Sequence, residues 1–473
     1  MSQTIRCMLF GCILATSTAA SAQDHQPPNT EARAIFKQLI EINTTESSGN
    51  VTKASEAMAK HFLDAGFPDK DVIVAGPDSR KKNLVVRLRG TGQRPPVLFI
   101  GHLDVVEAKR EDWSMDPFQF IEEDGNFYGR GTRDMKAGDA ILVMAFLRLK
   151  REGYQPDRDL ILALTADEET GDSNGVDWLV KEHKNWIDAE YCINLDGGEF
   201  ERLKGARVLA GLQASEKVYA DYQFETTNPG GHSSIPGPDN AIYELAAALT
   251  KLSKFSFPVK INDVTRSYLS QSASFTSGAV AADLRGAAQQ PPNPAAIQHL
   301  SAIPYYKSLL RTTCVATMLA GGHAPNALPQ SARANVNCRI FPGEDPEDVR
   351  KTLEHVVADP GLKVTIVPEK TADGKLIPLV AVPPSALLPE LTNALERTLS
   401  TMWSGMQVVP TMSTGATDGK YLRTAGIPTF GIACMFFDME DDRSHGKDER
   451  VGVQDFYDGV EFGYRFMKSL SSK

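Results

Sequence analysis

The sequence predicts an α/β protein, a mainly parallel sheet flanked by helices, interrupted by an inserted α+β unit. Three observations predict it. Short β-rich runs alternate with amphipathic helices through the first half of the chain, the pattern of βαβ units. Near Leu209 to Ala214 the rhythm changes, and the new pattern lasts to about Glu369. A helix, a strand and a last helix then resume the first pattern. Residues 23–212 and 370–473 are therefore assigned to one unit and residues 213–369 to a second, inserted one. A chain of 473 residues exceeds what one hydrophobic core usually serves, which agrees with two units.

In chain order, Arg6 precedes an apolar run from Met8 to Ala15, and Ala20-Ser-Ala22 precedes the polar Gln23-Asp24. That is the layout of a secretory leader, so residues 1–22 are read as a signal peptide and the protein as secreted or periplasmic. The apolar run is too short to span a bilayer, and no later segment sustains the length that a membrane helix needs. Glu31 to Asn43 and Val51 to Phe67 carry helical spacing, the second running into the Gly66 to Pro68 breaker. Asn83 to Arg89 and Pro96 to Gly101 read as strands and Met135 to Glu152 as a long amphipathic helix. Asp159 to Ala166 is a strand, Asn174 to Lys184 a helix and Glu190 to Leu195 a further strand.

Within the insert, Val218 to Glu225 and Ala332 to Ile340 read as strands, and Asp239 to Leu252 and Pro346 to Val357 as helices. Phe255 to Arg311 is irregular, with Gln290-Pro-Pro-Asn-Pro as an exposed loop, and stays unassigned. After it, Ala386 to Met402 is a helix, Pro428 to Cys434 a strand and Val453 to Leu470 the closing helix.

Removing the leader takes away one charge, Arg6, so the formal net charge goes from -10 to -11. An acidic chain argues against a nucleic-acid partner. Outside the leader stand Cys192, Cys314, Cys338 and Cys434, with no tight pair of the kind that marks a structural zinc ribbon. Four cysteines allow three full pairings, and spacing leaves all of them open, Cys314 with Cys338 among them.

In an open α/β sheet, ligands gather beyond the carboxyl ends of the strands. There this chain sets an unusual series of metal-ligand types. His102 and Asp104 follow one strand, Glu168 and Glu169 the next, Asp196 a third, and His445 lies beyond Pro428 to Cys434; Asp134 begins a helix after the Gly129-Arg-Gly131 turn. Any one of them alone reads as a cap or turn residue; their joint placement does not. Nitrogen and oxygen donors without thiolate suit zinc, or else cobalt or manganese. Two imidazoles and three carboxylates suffice for two ions if one carboxylate bridges, at a separation of roughly 3.5 to 4 Å. Asp134 is central enough to bridge. A rival lies in Gly171-Asp-Ser173-Asn-Gly175, a nucleophile-elbow pattern with Asp418 and His445 following in hydrolase order. An elbow serine should come directly off its strand, however, and Asp167 to Asp172 intervene.

Taken together, Gly101-His-Leu-Asp104, Gly129-Arg-Gly-Thr-Arg-Asp134-Met-Lys-Ala-Gly138, Thr165-Ala-Asp-Glu168-Glu169-Thr-Gly171 and Gly230-Gly-His232-Ser-Ser resemble one family. It is the dinuclear-zinc metallopeptidase family of glutamate carboxypeptidase, aminoacylase, succinyl-diaminopimelate desuccinylase and acetylornithine deacetylase. The resemblance runs from about Glu31 to the last helix. It implies a zinc-aminopeptidase-like catalytic unit with an inserted lid and dimerisation unit, and the cleavage of an amide next to a free carboxylate in a small peptide or N-acyl amino acid. It also implies that His102 and Asp196 hold one zinc, Glu169 and His445 the other, and that Asp134 bridges them. Asp104 would orient His102 by accepting its other ring N–H. Glu168 would be the general base. His232, supplied by the second subunit in dimeric members, would stabilise the oxyanion. Asn326 and Arg339 resemble the pair that grips the substrate carboxylate, and Gly415, in Ser413-Thr-Gly-Ala-Thr-Asp418, resembles part of the pocket loop. A binding-only relative is the second reading, and retention of Glu168 beside all five ligands speaks against it.

Overall fold

The computed structural model describes residues 27–171, 173–370 and 376–472. The leader, residues 1–22, lies outside them. The strands that build the molecule are, in chain order, β1 (Val72–Asp78), β2 (Lys81–Leu88), β3 (Val97–His102), β4 (Leu160–Thr165), β5 (Tyr191–Asn194), β6 (Phe200–Leu203) and β7 (Ala206–Glu216). Then come β8 (Val218–Thr227), β9 (Thr313–Gly321), β10 (Ser331–Ile340), β11 (Leu362–Val367), β12 (Val408–Ser413), β13 (Thr429–Gly431) and β14 (Phe437–Asp438).

Ten of them form one sheet in the order β1-β2-β4-β3-β5-β13-β7-β6-β14, with β12 beside β7. Its centre is parallel: β3 pairs with β4 and β5, and β5 with β13. β3 and β4 are buried at every position, which explains why they read as unbroken apolar runs instead of alternating ones. Helices Pro27–Glu41, Lys136–Arg151 and Val453–Ser471 cover one face with Phe36, Ile141, Phe146 and Phe462. Helix Gly175–Glu182 covers the other with Val176 and Leu179. The sheet is thus the mainly parallel, helix-flanked one that the sequence predicts.

The second sheet is antiparallel, β9-β10-β8-β11. β8 alternates strictly, and its inward Ala220, Tyr222 and Phe224 pack with Leu245, Leu252, Val349 and Leu353 from helices Ala241–Lys254 and Pro346–Val357. The latter helix starts where the sequence announces it: Pro346 takes the first position and Asp345 accepts the Glu347 N–H at 2.8 Å. Cys314 on β9 and Cys338 on β10 sit directly opposite and are joined by a disulfide.

Phe255 to Arg311 resolves into four helices, Asp263–Phe275, Gly278–Ala288, Pro294–Ser301 and Pro304–Leu309. They share a small core of Leu269, Leu284, Leu300 and Leu310, while Val264 and Leu309 join the core of the large sheet. They are short and rich in Ser and Ala, so no apolar stripe stands out in the sequence. Among the described residues, no helix is long and apolar enough to cross a membrane.

Candidate active site

The carboxyl edge of β3, β4 and β5 gathers the side chains. His102 is the last residue of β3, Glu168 and Glu169 follow β4, Asp196 follows β5, and Asp134 lies in the turn before helix Lys136–Arg151. Two groups of donors result, His102 with Asp134 and Asp196, and Asp134 with Glu169 and His445; within each the ligand atoms lie within 4.8 Å of one another. Asp134 belongs to both. Its Oδ1 is 3.1 Å from His102 Nε2, and its Oδ2 is 3.0 Å from His445 Nε2. Asp196 Oδ1 is 3.8 Å from His102 Nε2, and Glu169 Oε1 is 3.2 Å from His445 Nε2. That Glu169 oxygen is buried and makes no hydrogen bond, an acceptor left facing the cluster.

His102 Nδ1 donates to the backbone carbonyl of Asp104 at 3.0 Å, which aims Nε2 at the cluster. The Asp104 carboxylate stands 3.7 Å from that nitrogen and accepts instead the backbone N–H groups of Glu168 at 3.2 Å and Glu169 at 3.0 Å. Asp104 therefore orients the imidazole through its carbonyl and the Glu168-Glu169 turn through its side chain.

Electrostatics follow from crowding acids in a buried place. Burial pushes His102 toward neutrality, but the hydrogen bond to Asp134 and the charge of Asp196 prevail and hold it well above the ordinary histidine value. Asp134 and Glu169 raise His445 to about 10. Burial opposes Asp134 ionising, yet the two imidazoles win and hold it far below the carboxylate range. Burial and the charge of Asp196 carry Glu168 well above its ordinary value, the direction a proton-accepting and proton-returning carboxylate needs. Nitrogen and oxygen donors in two triads sharing a carboxylate, one buried oxygen among them without a hydrogen bond, fit two divalent cations.

Glu449 escaped the sequence reading. It is fully buried, and its carboxylate accepts from Arg130 Nη1 at 2.6 Å and from the backbone N–H groups of Gly131, Arg133 and Asp134 at 3.0, 2.6 and 2.9 Å. It fixes the loop that presents Asp134. The one signal for it was an acid four residues beyond His445, too common a pattern to single out.

A cavity of about 640 Å³ opens over the cluster, walled by Glu168, Glu169, Asp196, Arg339, Tyr219 and His445, with Ser413, Ala416 and Thr417 of the loop after β12. Arg339, on β10, pairs across to Tyr219 of β8, its guanidinium 4.7 Å from the Tyr219 ring. Gly415 is in the same loop, its N–H donating to Ser413 Oγ at 3.0 Å, while its neighbours form the wall. His232 and Asn326 are elsewhere. They adjoin in a small ribbon, Gly231–His232 against Ala327–Leu328, where Ser233 N–H donates to the Asn326 carbonyl at 3.1 Å. The His232 ring is exposed and neither residue lines the cavity. A second cavity of about 200 Å³ adjoins the first through Asp134, Asp196 and Ser413, which line both; Arg133, Met135, Leu195, Glu199, Met435 and Phe437 are among its other walls.

A serine mechanism finds no support in these positions. His445 faces Asp134 and Glu169, Asp418 accepts from Asn174 Nδ2 at 2.5 Å, and Ser173 does not line the cavity.

Residues 98–469 match the model of peptidase family M20/M25/M40, and the chain belongs to that family. It is a metal-dependent hydrolase. Among its relatives, probable carboxypeptidase S-like 2 of Dictyostelium discoideum is 26% identical, over 86% of this chain and 78% of its own. The human N-fatty-acyl-amino acid synthase/hydrolase PM20D1 is 25% identical, over 80% and 74%. Among solved structures, the M20 family metallo-carboxypeptidase Sso-CP2 from Sulfolobus solfataricus superimposes with a TM-score of 0.68 at 16% identity, covering 93% of this chain and 99% of that one. Bacillus subtilis YXEP, a dinuclear metal binding peptidase, does so at 0.55 and 11%, covering 94% and 99%. Both have this fold.

Proposed function

We propose that the protein is an exported hydrolase that uses two zinc ions to split an amide bond next to a free carboxylate, in a small peptide or an N-acyl amino acid. The observation that carries the reading is Asp134, with one oxygen toward each imidazole and a further carboxylate completing each triad. His102 and Asp196 would hold one ion, Glu169 and His445 the other, with Asp134 shared between them. Ions bound there would supply Lewis acidity to the scissile carbonyl and lower the pKa of a water. Glu168, raised by burial and by Asp196, takes that water's proton and returns it to the leaving amine. Arg339 receives the substrate carboxylate with its planar fork. Relatives named as carboxypeptidase and as N-acyl-amino acid hydrolase agree with both substrate classes. A binding-only relative would gain nothing from Glu168 in the wall.

Residues 23–212 and 370–473 are proposed as the catalytic unit and 213–369 as the lid. The lid also carries the proposed dimer contact. Edge strand β9 turns Val315, Met318 and Leu319 outward, 60%, 71% and 70% exposed, beside Ile242 and Tyr243 of helix Ala241–Lys254. A second copy covering them supplies His232 and Asn326 to this cavity. Export rests on the leader composition and agrees with the Cys314–Cys338 disulfide, which persists in oxidising compartments.

The test is hydrolysis of a panel of dipeptides and N-acyl amino acids by the wild-type protein and Glu168→Ala, each with and without a chelator. The expected result is chelator-sensitive turnover that falls by about 10²- to 10⁴-fold in the variant. Equal rates in all four samples would end the reading.

A further inference from the structure

We infer that the smaller cavity is the acyl-side subsite, and that Glu199 in it receives the ammonium group of a single amino-acid residue. Short peptides with a free amine are then preferred over N-acyl amino acids with long chains. The inference rests on the proposed reaction and deepens it.

The two cavities share Asp134, Asp196 and Ser413, so they meet where the ligand side chains converge. An amide held at that junction has two halves. Arg339, the group suited to the substrate carboxylate, stands in the larger cavity alone, so the carboxylate-bearing half lies there and the acyl half is left the smaller one. Size then limits it. At about 200 Å³ against about 640 Å³, the smaller cavity has less than a third of the larger one's room, which suits a single amino-acid residue better than a hexadecanoyl chain.

Chemistry selects further. Met135, Leu195 and Met435 give the cavity an apolar wall, and Glu199 adds a half-buried carboxylate that makes no hydrogen bond or ion pair with any described residue. The neighbouring cation, Arg133, favours the charged form of Glu199 from a distance without pairing with it: its guanidinium lies 3.3 Å from the Phe437 ring centre and its Nε 3.7 Å from Asp442. The cavity therefore holds an acceptor in want of a donor. An ammonium supplies three N–H donors and a compensating charge, while an alkyl chain strips water from Glu199 and returns nothing. Sites built around a buried polar group reject partners that leave it unpaired, and the discrimination follows from that cost.

Three substrates sharing the C-terminal residue best accepted in the panel test this: an alanyl dipeptide, its propanoyl counterpart lacking only the amine, and the hexadecanoyl amide. For the wild type, kcat/KM should be at least about tenfold higher for alanyl than for propanoyl, and hexadecanoyl turnover about a hundredfold below propanoyl. Glu199→Gln should bring the alanyl-to-propanoyl ratio close to one, and Glu199→Asp should restore part of it, a rescue that a merely structural residue would not give. Calorimetry of the alanyl dipeptide on a Glu168→Gln background should show binding about tenfold weaker when Glu199→Gln is added. An unchanged ratio in Glu199→Gln, or hexadecanoyl turnover equal to propanoyl, overturns the inference while the metal-dependent reaction stands. No turnover of any substrate by the wild type overturns the proposed reaction, and this inference with it.

Discussion

The carboxyl edge of the large sheet and the outer edge of the small one are built on opposite terms. At the first, buried charges are held by several partners at once: Glu449 takes four donors, and Lys136, also fully buried, donates to the carbonyls of Leu39 and Ile42 at 2.9 Å each. At the second, β9 leaves its outer flank without a strand neighbour among the described residues and turns apolar side chains outward. The difference teaches a division of labour. The half of the site that must hold cations in place is rigidified from within, because an unpaired buried charge is costly. The small sheet instead leaves an apolar edge exposed, which the proposed second copy would cover.

The hardest blow to that contrast is Glu449→Ala. It leaves Arg130 buried beside an empty place and frees three loop amides, so stability should fall by about 3–5 kcal/mol and turnover by more than about a hundredfold. Thermal melting and metal titration check it; a variant that melts like the wild type and binds two ions would show the cradle to be self-supporting. Next in size is removal of the disulfide by Cys314→Ser with Cys338→Ser, at about 2–4 kcal/mol. Hydrogen exchange should quicken across β9 and β10 while β3 and β4 keep their protection, and equal quickening in both sheets would deny that they respond separately.

A smaller effect sits at the junction between the sheets. Burial, aided by Arg339 and Arg311 against Glu344, lowers the Lys217 amine from 10.5 to about 7. Between those values the unfolded chain keeps a proton that the folded chain has shed, so this lysine makes stability rise with pH across that window and leaves it flat below about 7. Lys217→Met should flatten the slope of denaturant-measured stability there by up to about 1.4 kcal/mol per pH unit. An identical slope would place the amine in contact with solvent. Least costly to the fold is Met318→Lys with Leu319→Lys, expected to change stability by less than about 0.5 kcal/mol while light scattering falls to the monomer mass and activity drops with the loss of the partner's loops. A monomeric wild type would remove the reason given for the exposed edge.

How much of this was legible depended on whether a residue's task left a local mark. β3 and β4 announced themselves because strands buried on both faces must be apolar throughout, and their terminal His102 and Glu168-Glu169 pair stood out as polar groups where none should be. Asp134 was marked by the glycines of its turn. The four helices from Asp263 to Leu309 were not legible, since their burial comes from β12 and from one another and not from a stripe any one of them shows. Glu449 was invisible for the same reason. Its partners are backbone amides more than 300 positions earlier, and amides carry no residue identity. The readiness of Asp104 to use its carbonyl for His102 and its side chain for the next strand's turn could not be foreseen either, because side chain and carbonyl lie within reach of the same ring.

One consequence follows from where His445 and Glu449 fall. Both the second imidazole and the clamp on Asp134 come from more than 300 positions after Asp134, so a growing polypeptide has no finished cage until residues 445 and 449 have been made. Were the protein exported, as proposed, ion capture would wait until those residues had crossed the membrane. The supply of cations on the far side, and not in the compartment where ribosomes work, would decide which element the enzyme carries.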